Sequence, residues 1–393
     1  MTSFQEMTFS ELLSDAEVFV DGDWVESKDQ DPNGDVRLIQ LADIGDGFFI
    51  DKSSRFLNSE TAKRLKCTYL KEGDILVARM PDPLGRACIF PKSDMPCVTV
   101  VDVCIIRPNQ NKVDNRWLMH TINSPVMRQR INEYVTGTTR QRISRGNFSK
   151  LKISVPPLAE QRRIASILDQ ADELRQKRQQ AIEKLDQLLQ ATFIEMFGDP
   201  VSNPNGWDKK LLSDLVTIDA PLVEPMEKEF ENLLHYGPDR ISKDSGKLLP
   251  ALTAKEDMLI SKKFLCDDRH ILYSKIRPYL NKVAMVQEKC LCSADVYPVE
   301  PKSQLTKHFL WHILRSKSFL DHAETFSNRA NIPKINRNQF LQYECIVPTM
   351  EAQQKFENIS KDIQRQIDFQ NLSLELIEKL FSSLQNQAFN GTL

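Results

Sequence analysis

Much of what would mark an enzyme is missing from this sequence. The only Gly-Lys pair, Gly246 and Lys247, is followed by Leu248 and has no glycine at the required spacing before it, so no phosphate-cradling loop is expected. The six histidines show no H-E-x-x-H or similar ligand spacing, and His120 and His312 sit inside apolar helical patterns that suit structural side chains. Pro-Asp pairs at Pro81 and Pro238 invite a nuclease reading, but the acidic-x-Lys element such a site needs first follows Pro81 at Asp208 and Lys210 and first follows Pro238 at Glu300 and Lys302, far downstream in each case. The eight cysteines are scattered. Only Cys290 and Cys292 come close together, without the second pair that zinc requires, so reduced and partly buried thiols are expected and no metal. No stretch approaches the roughly 18 apolar residues of a membrane span. The opening MTSFQEMTFSELL has neither the basic region nor the apolar core of a leader, which predicts a soluble, cytoplasmic chain. An excess of one charge is lacking too: 52 Lys and Arg stand against 54 Asp and Glu, so any nucleic-acid surface must come from local clustering.

What is present is a repeat. At 393 residues and 41% hydrophobic content, the chain has material for two or three domains at roughly 150 residues each. VPPLAEQRRIASIL at Val155 returns as VPTMEAQQKFENIS at Val347, so that Val155, Pro156 and Gln161 become Val347, Pro348 and Gln353. At the same offset Phe148 meets Phe340, Arg145 meets Arg337, Ile143 meets Ile335 and His120 meets His312. Further upstream, ILVARMPDPLGRACIF at Ile75 answers ILYSKIRPYLNKVAMV at Ile271. Small drifts in offset are what loop insertions produce. The order is therefore domain, helix, domain, helix.

Each domain is α+β. VRLIQLADI, GDILVARM and CVTVVDVCII in the first half, and RHILYSKI, NKVAMVQ and ECIVP in the second, are strand signals. NRWLMHTINSPVMRQRI and KHFLWHILRSKSFLDHA carry helical spacing. Ala159 to Phe197 then runs without Gly or Pro, with Ile164, Ile167, Ala171, Leu174, Arg178, Ala181, Leu185, Leu188 and Thr192 at alternating spacings of three and four. Gly198 and Pro200 end it. The second helix carries Phe356, Ile359, Ile363, Ile367, Leu374, Ile377, Leu380 and Leu384. A helix of this length, ~58 Å, overhangs a domain with a radius of gyration of roughly 15 Å. The second helix should then begin where the first ends. The expected architecture is two globular domains held apart by a long antiparallel helix pair, with a pseudo-twofold axis.

Positive charge clusters at matching places. TTRQRISRGNFSK holds Arg140, Arg142, Arg145 and Lys150 without an acidic residue, and SNRANIPKINRNQF holds Arg329, Lys334 and Arg337 without one. Arg can bind guanine edges, Asn and Gln adenine edges, and hydroxyls phosphates, so double-stranded DNA is the expected ligand. Arg79 and Arg86, matched by Lys275 and Lys282, form a second candidate pair in each domain.

VPPLAEQRRIASIL, the heptad helix after it, the terminal MFGDP and the preceding GTTRQRIS together resemble the specificity subunits of type I restriction-modification systems, over essentially the whole chain. The second copy departs from that pattern, with SNRANIPKIN for GTTRQRIS. The resemblance implies target-recognition domains at 1–155 and 201–347, and spacer helices at 156–200 and 348–393. It implies a non-catalytic chain that gathers two methyltransferase and two restriction subunits, with S-adenosylmethionine, ATP and Mg on those partners. Two domains held apart would read a split, asymmetric site. A stand-alone DNA-binding regulator is the alternative.

Overall fold

The computed structural model describes residues 4–137, 141–327, 333–390 and 392–393. The chain divides into two compact units. Unit 1 is Met1–Gln179 with Leu372–Leu393, and unit 2 is Gln180–Asn371. Two long helices, Leu158–Phe197 and Met350–Asn390, each contribute one end to each unit.

Unit 1 contains strands β1 (Gln5–Thr8), β2 (Val18–Asp21), β3 (Val36–Ile39), β4 (Phe56–Leu57), β5 (Ile75–Ala78), β6 (Ala87–Ile89), β7 (Cys97–Thr99), β8 (Val103–Arg107) and β9 (Lys152–Val155). They form a four-stranded sheet β2-β8-β5-β6, a three-stranded sheet β4-β3-β7 and a two-stranded ribbon β1-β9. Strand β5, Ile-Leu-Val-Ala, is central and buried at every position, as an apolar run without alternation requires. CVTVVDVCII becomes two strands, β7 and β8, with a turn at Val101 and Asp102.

Unit 2 repeats the plan with β10 (Asp208–Leu211), β11 (Val216–Ile218), β12 (Leu222–Val223), β13 (His235–Tyr236), β14 (Lys263–Cys266), β15 (Ile271–Ser274), β16 (Val283–Met285), β17 (Cys290–Cys292), β18 (Val296–Pro301) and β19 (Glu344–Val347). Its sheet β11-β18-β15-β16 matches β2-β8-β5-β6 strand for strand, and β10-β19 matches β1-β9. The second sheet differs. β13 pairs β17 in parallel, as β3 pairs β7, but β14 and β12 extend the opposite side.

The helical stretches each break into two. Asn115–Asn123 and Pro125–Glu133 meet at Ser124, whose hydroxyl accepts from Met127 N and so caps the second helix. Lys307–Arg315 and Lys317–Ser327 meet in the same way at Ser316.

The repeated entrance to the long helices has one physical purpose, visible in both units. Gln161 is buried. Its Oε1 accepts from Asp114 N (2.9 Å), and its Nε2 donates to Lys112 O (3.1 Å) and Pro156 O (2.9 Å). Gln353 is buried likewise; Oε1 accepts from Thr306 N (2.9 Å), and Nε2 donates to Gln304 O (3.0 Å) and Pro348 O (2.9 Å). Asp114 and Thr306 are the N-caps of the domain helices. One amide thus ties the first turn of the long helix to the start of a domain helix and satisfies backbone groups that burial would otherwise orphan.

The two helices meet antiparallel within each unit. In unit 1, Arg163 donates to Leu393 O (2.8 Å), Arg175 lies over the Phe381 ring (5.4 Å), and Phe381, Leu384 and Ala388 join the core around Ile164 and Leu168. In unit 2, Phe193 and Phe197 pack on Phe356 at 5.4 and 5.5 Å between ring centroids.

The seam follows a different phase from the heptad expectation. Ile164, Phe356 and Ile363 are buried, and Ile167, Leu185, Ile359, Ile377 and Leu384 are half-buried, but Leu174 and Leu188 are 49% and 51% exposed. Leu380, 52% exposed, also faces out. The buried apolar positions of the first helix are Ile164, Ala165, Leu168, Ala171, Ile182, Leu189, Phe193 and Phe197. Ala171, Ile182 and Phe193 are separated by 11 residues each, a period slightly longer than the roughly 3.6 residues per turn of a straight helix, whereas a heptad is slightly shorter, so the two patterns drift apart around the helix. That drift carries Leu174 and Leu188 off the buried face.

Candidate nucleic-acid interface

The two basic regions of each domain, far apart in sequence, are adjacent in the structure. The β5–β6 hairpin of unit 1 ends at Arg79 and restarts at Arg86, and Ile143 N donates to Arg79 O (3.1 Å). In unit 2 the β15–β16 hairpin is bounded by Lys275 and Lys282, and Ile335 N donates to Lys275 O (2.9 Å). The hairpin turns by the same device in both: Gly85 (φ +78°) and Asn281 (φ +46°) occupy matching left-handed positions, where Gly and Asn are the residues most readily accommodated. Each hairpin tip therefore lies beside its basic segment.

Side-chain placement separates the candidates into two groups. Arg79 and Arg86 are each only 8% exposed. Arg79 donates to Val101 O (2.6 Å) and Ile143 O (3.3 Å) and pairs with Asp21 (3.2 Å). Arg86 donates to Ile44 O (2.6 Å), Leu41 O (2.8 Å), Pro83 O (3.1 Å) and Met80 O (3.2 Å), and burial followed by the nearby charge of Arg128 lowers its pKa. Lys275 Nζ donates to Ala294 O (2.7 Å) beside Asp295 (3.3 Å), and Lys282 Nζ donates to Pro238 O (2.6 Å). The two arginines brace the unit 1 hairpin from within, and the two half-buried lysines each commit one ammonium donor to a carbonyl beside the unit 2 hairpin. Donors engaged by backbone carbonyls are not available to a phosphate.

The basic segments are different. Arg142 is exposed, with its backbone bridged to Thr136, and Lys150 is exposed. Neither side chain has a hydrogen bond or ion pair among the described residues. Arg145 is half committed, donating to Phe19 O (3.1 Å) and lying over the Phe19 ring (5.7 Å) near Asp21 (3.6 Å). In unit 2, Lys334 and Arg337 are exposed and unpaired among the described residues; Arg337 opens a short helix capped by Asn336 and Gln339. Arg140 and Arg329 lie outside the described residues. Two residues escaped the sequence reading: Arg277, exposed at the unit 2 hairpin tip, and Tyr279, 46% exposed beside it. Their signal was the tripeptide Arg-Pro-Tyr at the tip, whose exposure only the hairpin geometry reveals. Among the described residues no His, Cys, Asp and Glu cluster is placed to hold a metal ion, and no helix is long and apolar enough to cross a membrane.

The model of the type I restriction modification DNA specificity domain matches this chain twice, at residues 8–184 and 204–379. The chain belongs to that family. It is similar to the type I restriction enzyme EcoDI specificity subunit of Escherichia coli, 27% identical over 308 residues covering 67% of each chain. It is also similar to the type I restriction enzyme MjaVIII specificity subunit of Methanocaldococcus jannaschii, 22% identical with 100% of this chain and 96% of the relative covered. In fold it resembles the crystal structure of the type I restriction-modification system S subunit from M. genitalium, with TM-score 0.60 and 14% identity over 99% of this chain and 96% of that one. As a specificity subunit, the chain is not the catalytic member of such a system.

Proposed function

We propose that the chain reads a two-part, asymmetric DNA sequence, one half with each unit, and gathers two methyltransferase and two restriction subunits around it. The observation that carries this reading is the repeated hairpin and basic segment: the same backbone device in both units, bearing unpaired surface cations but different tip side chains. Matching placements of hairpin and basic segment suit one ligand class, and different tips suit two different half-sites. Unit 1 contributes Arg142, Arg145 and Lys150, and unit 2 Lys334 and Arg337. Arg140 and Arg329 belong to the same segments by sequence. The family membership favours this over a stand-alone regulator.

The long helices set the spacing between half-sites and offer the docking surface. On the second helix Leu372, Leu376 and Leu380, at i, i+4 and i+8, are each more than half exposed, a stripe that suits a partner helix. S-adenosylmethionine, ATP and Mg belong to the partner subunits, and the complex works in the cytoplasm. The test is reconstitution. With its methyltransferase partner and S-adenosylmethionine, the chain should direct adenine methylation to one bipartite, asymmetric sequence, and alone it should methylate nothing. Methyl transfer by the chain by itself, or modification without sequence preference, would overturn the proposal.

A further inference from the structure

The tip of the unit 2 hairpin holds its most exposed cation in a backbone conformation that needs a reason. Arg277 has φ +48° and ψ +59°, the left-handed region, which costs a non-glycine residue about 1 kcal/mol or more. It also precedes Pro278, and a residue before proline is normally driven to extended conformations. The surroundings hold it there. Arg277 N donates to Pro333 O (2.7 Å), Leu280 N donates to Arg277 O (2.9 Å), and Asn281 Nδ2 donates to Arg315 O (3.1 Å) at the end of the helix Lys307–Arg315. The backbone is thus clamped while the guanidinium has no partner among the described residues and faces solvent. Strain retained around an unpaired functional group points to use of that group.

We infer that Arg277 reads a guanine in the half-site of unit 2. This rests on the DNA-reading function proposed above. A guanidinium is a rigid fork that matches guanine O6 and N7, and such pairing demands a fixed approach, which the clamped backbone supplies. A phosphate can take the same fork, but it can also be held by a flexible cation without a fixed backbone. Lys334 and Arg337, exposed on the segment that abuts the tip, are the cations placed for phosphates. The corresponding tip of unit 1 is Met80-Pro81-Asp82-Pro83, which has no cation and exposes Asp82. The guanine preference therefore belongs to one half-site only.

The experiment uses the full chain in complex with its methyltransferase partner, acting on DNA with both half-sites randomised. Arg277→Gln should lower the preference for guanine at one position of one half-site about 10- to 100-fold and leave the other half-site unchanged. Arg277→Lys should not restore it. Arg277→Gly, which relaxes the left-handed backbone, should lose the preference while the melting temperature stays level or rises. An unchanged site preference in Arg277→Gln would overturn the inference and leave the proposed function standing. So would a uniform loss of affinity across all sequences with the salt slope reduced by about one, the mark of a phosphate contact. A wild-type complex with no bipartite preference would overturn both.

Discussion

The two units dock the same domain helix on the same long helices by opposite chemistry. In unit 1 the helix Asn115–Asn123 is tied by charge: Asp169 accepts from Arg116 (2.7 Å) and lies 2.9 Å from His120 Nε2. Burial pushes the Asp169 carboxyl up, but the hydrogen bonds from His120 and Arg116 outweigh it and hold the pKa below its ordinary value. In unit 2 the equivalent positions, among the described residues, use a neutral hydrogen bond and aromatic stacking instead of an ion pair. His308 meets the Ser360 hydroxyl (3.0 Å), and His312 stacks on Phe193 with centroids 4.1 Å apart and meets Phe356 edge-on at 5.5 Å. Burial lowers the pKa of His308 to about 4 and, with the charge of Arg315, that of His312 to about 3. Duplicated halves can keep a backbone plan and a clasp while their interfaces diverge, because a salt-bridged and an aromatic contact fill the same space.

The glutamine clasp is what the units share, and removing it should have the largest effect. Gln161→Leu or Gln353→Leu removes three hydrogen bonds and leaves buried backbone groups unpaired, at roughly 3 kcal/mol or more. Hydrogen exchange should show lost protection in the unit carrying the substitution, by a similar amount in either case. Unequal effects would mean that the clasps, although identical in geometry, do not bear equal weight.

Acid should separate the units next. His308 and His312 are neutral when folded, whereas in the unfolded chain they take up protons below about pH 6.5. Their contribution to stability is therefore full above that pH and is lost as pH falls towards the folded values of about 4 and about 3. Once both are protonated, the loss is about 3 kcal/mol for His308 and about 5 kcal/mol for His312. Glu357 opposes and Lys361 and Lys307 reinforce the shift at His308. Asp169 acts in the same sense but in a lower window: its depressed pKa supports unit 1 above the ordinary carboxylate range, and that support is lost only as pH falls below it. Between pH 6.5 and 4, exchange protection should fall in unit 2 before unit 1, and His312→Phe should reduce that dependence. Parallel loss in both units would show that these histidines do not control it.

The smallest effect is expected at the outward leucines. Leu174→Gln in unit 1 and Leu188→Gln in unit 2 should each change stability by no more than about 0.5 kcal/mol, as exposed positions do, whereas Leu168→Ala or Leu189→Ala should cost about 2–5 kcal/mol. Denaturant titration of the four variants distinguishes the observed seam from the heptad one.

The duplication, the strand signals, both long helices and the basic segments could be read from residue order, because each is a local pattern: a repeated string, a period of two, a run free of Gly and Pro, a cluster of like charge. The tertiary structure decided the partners. Arg79, Arg86, Lys275 and Lys282 look like surface cations in sequence, yet carbonyls such as Val101 O, Ile44 O, Ala294 O and Pro238 O draw them inward. Leu174 and Leu188 look like seam residues until the buried face is seen to follow an 11-residue spacing instead of the heptad. Arg277 looks unremarkable in Ile-Arg-Pro-Tyr until the clamp from Pro333 sets its backbone left-handed and its side chain outward. A side chain's role depends on which groups compete for it, and here those groups come from tens of residues away, where no periodicity or motif in its own neighbourhood can report them.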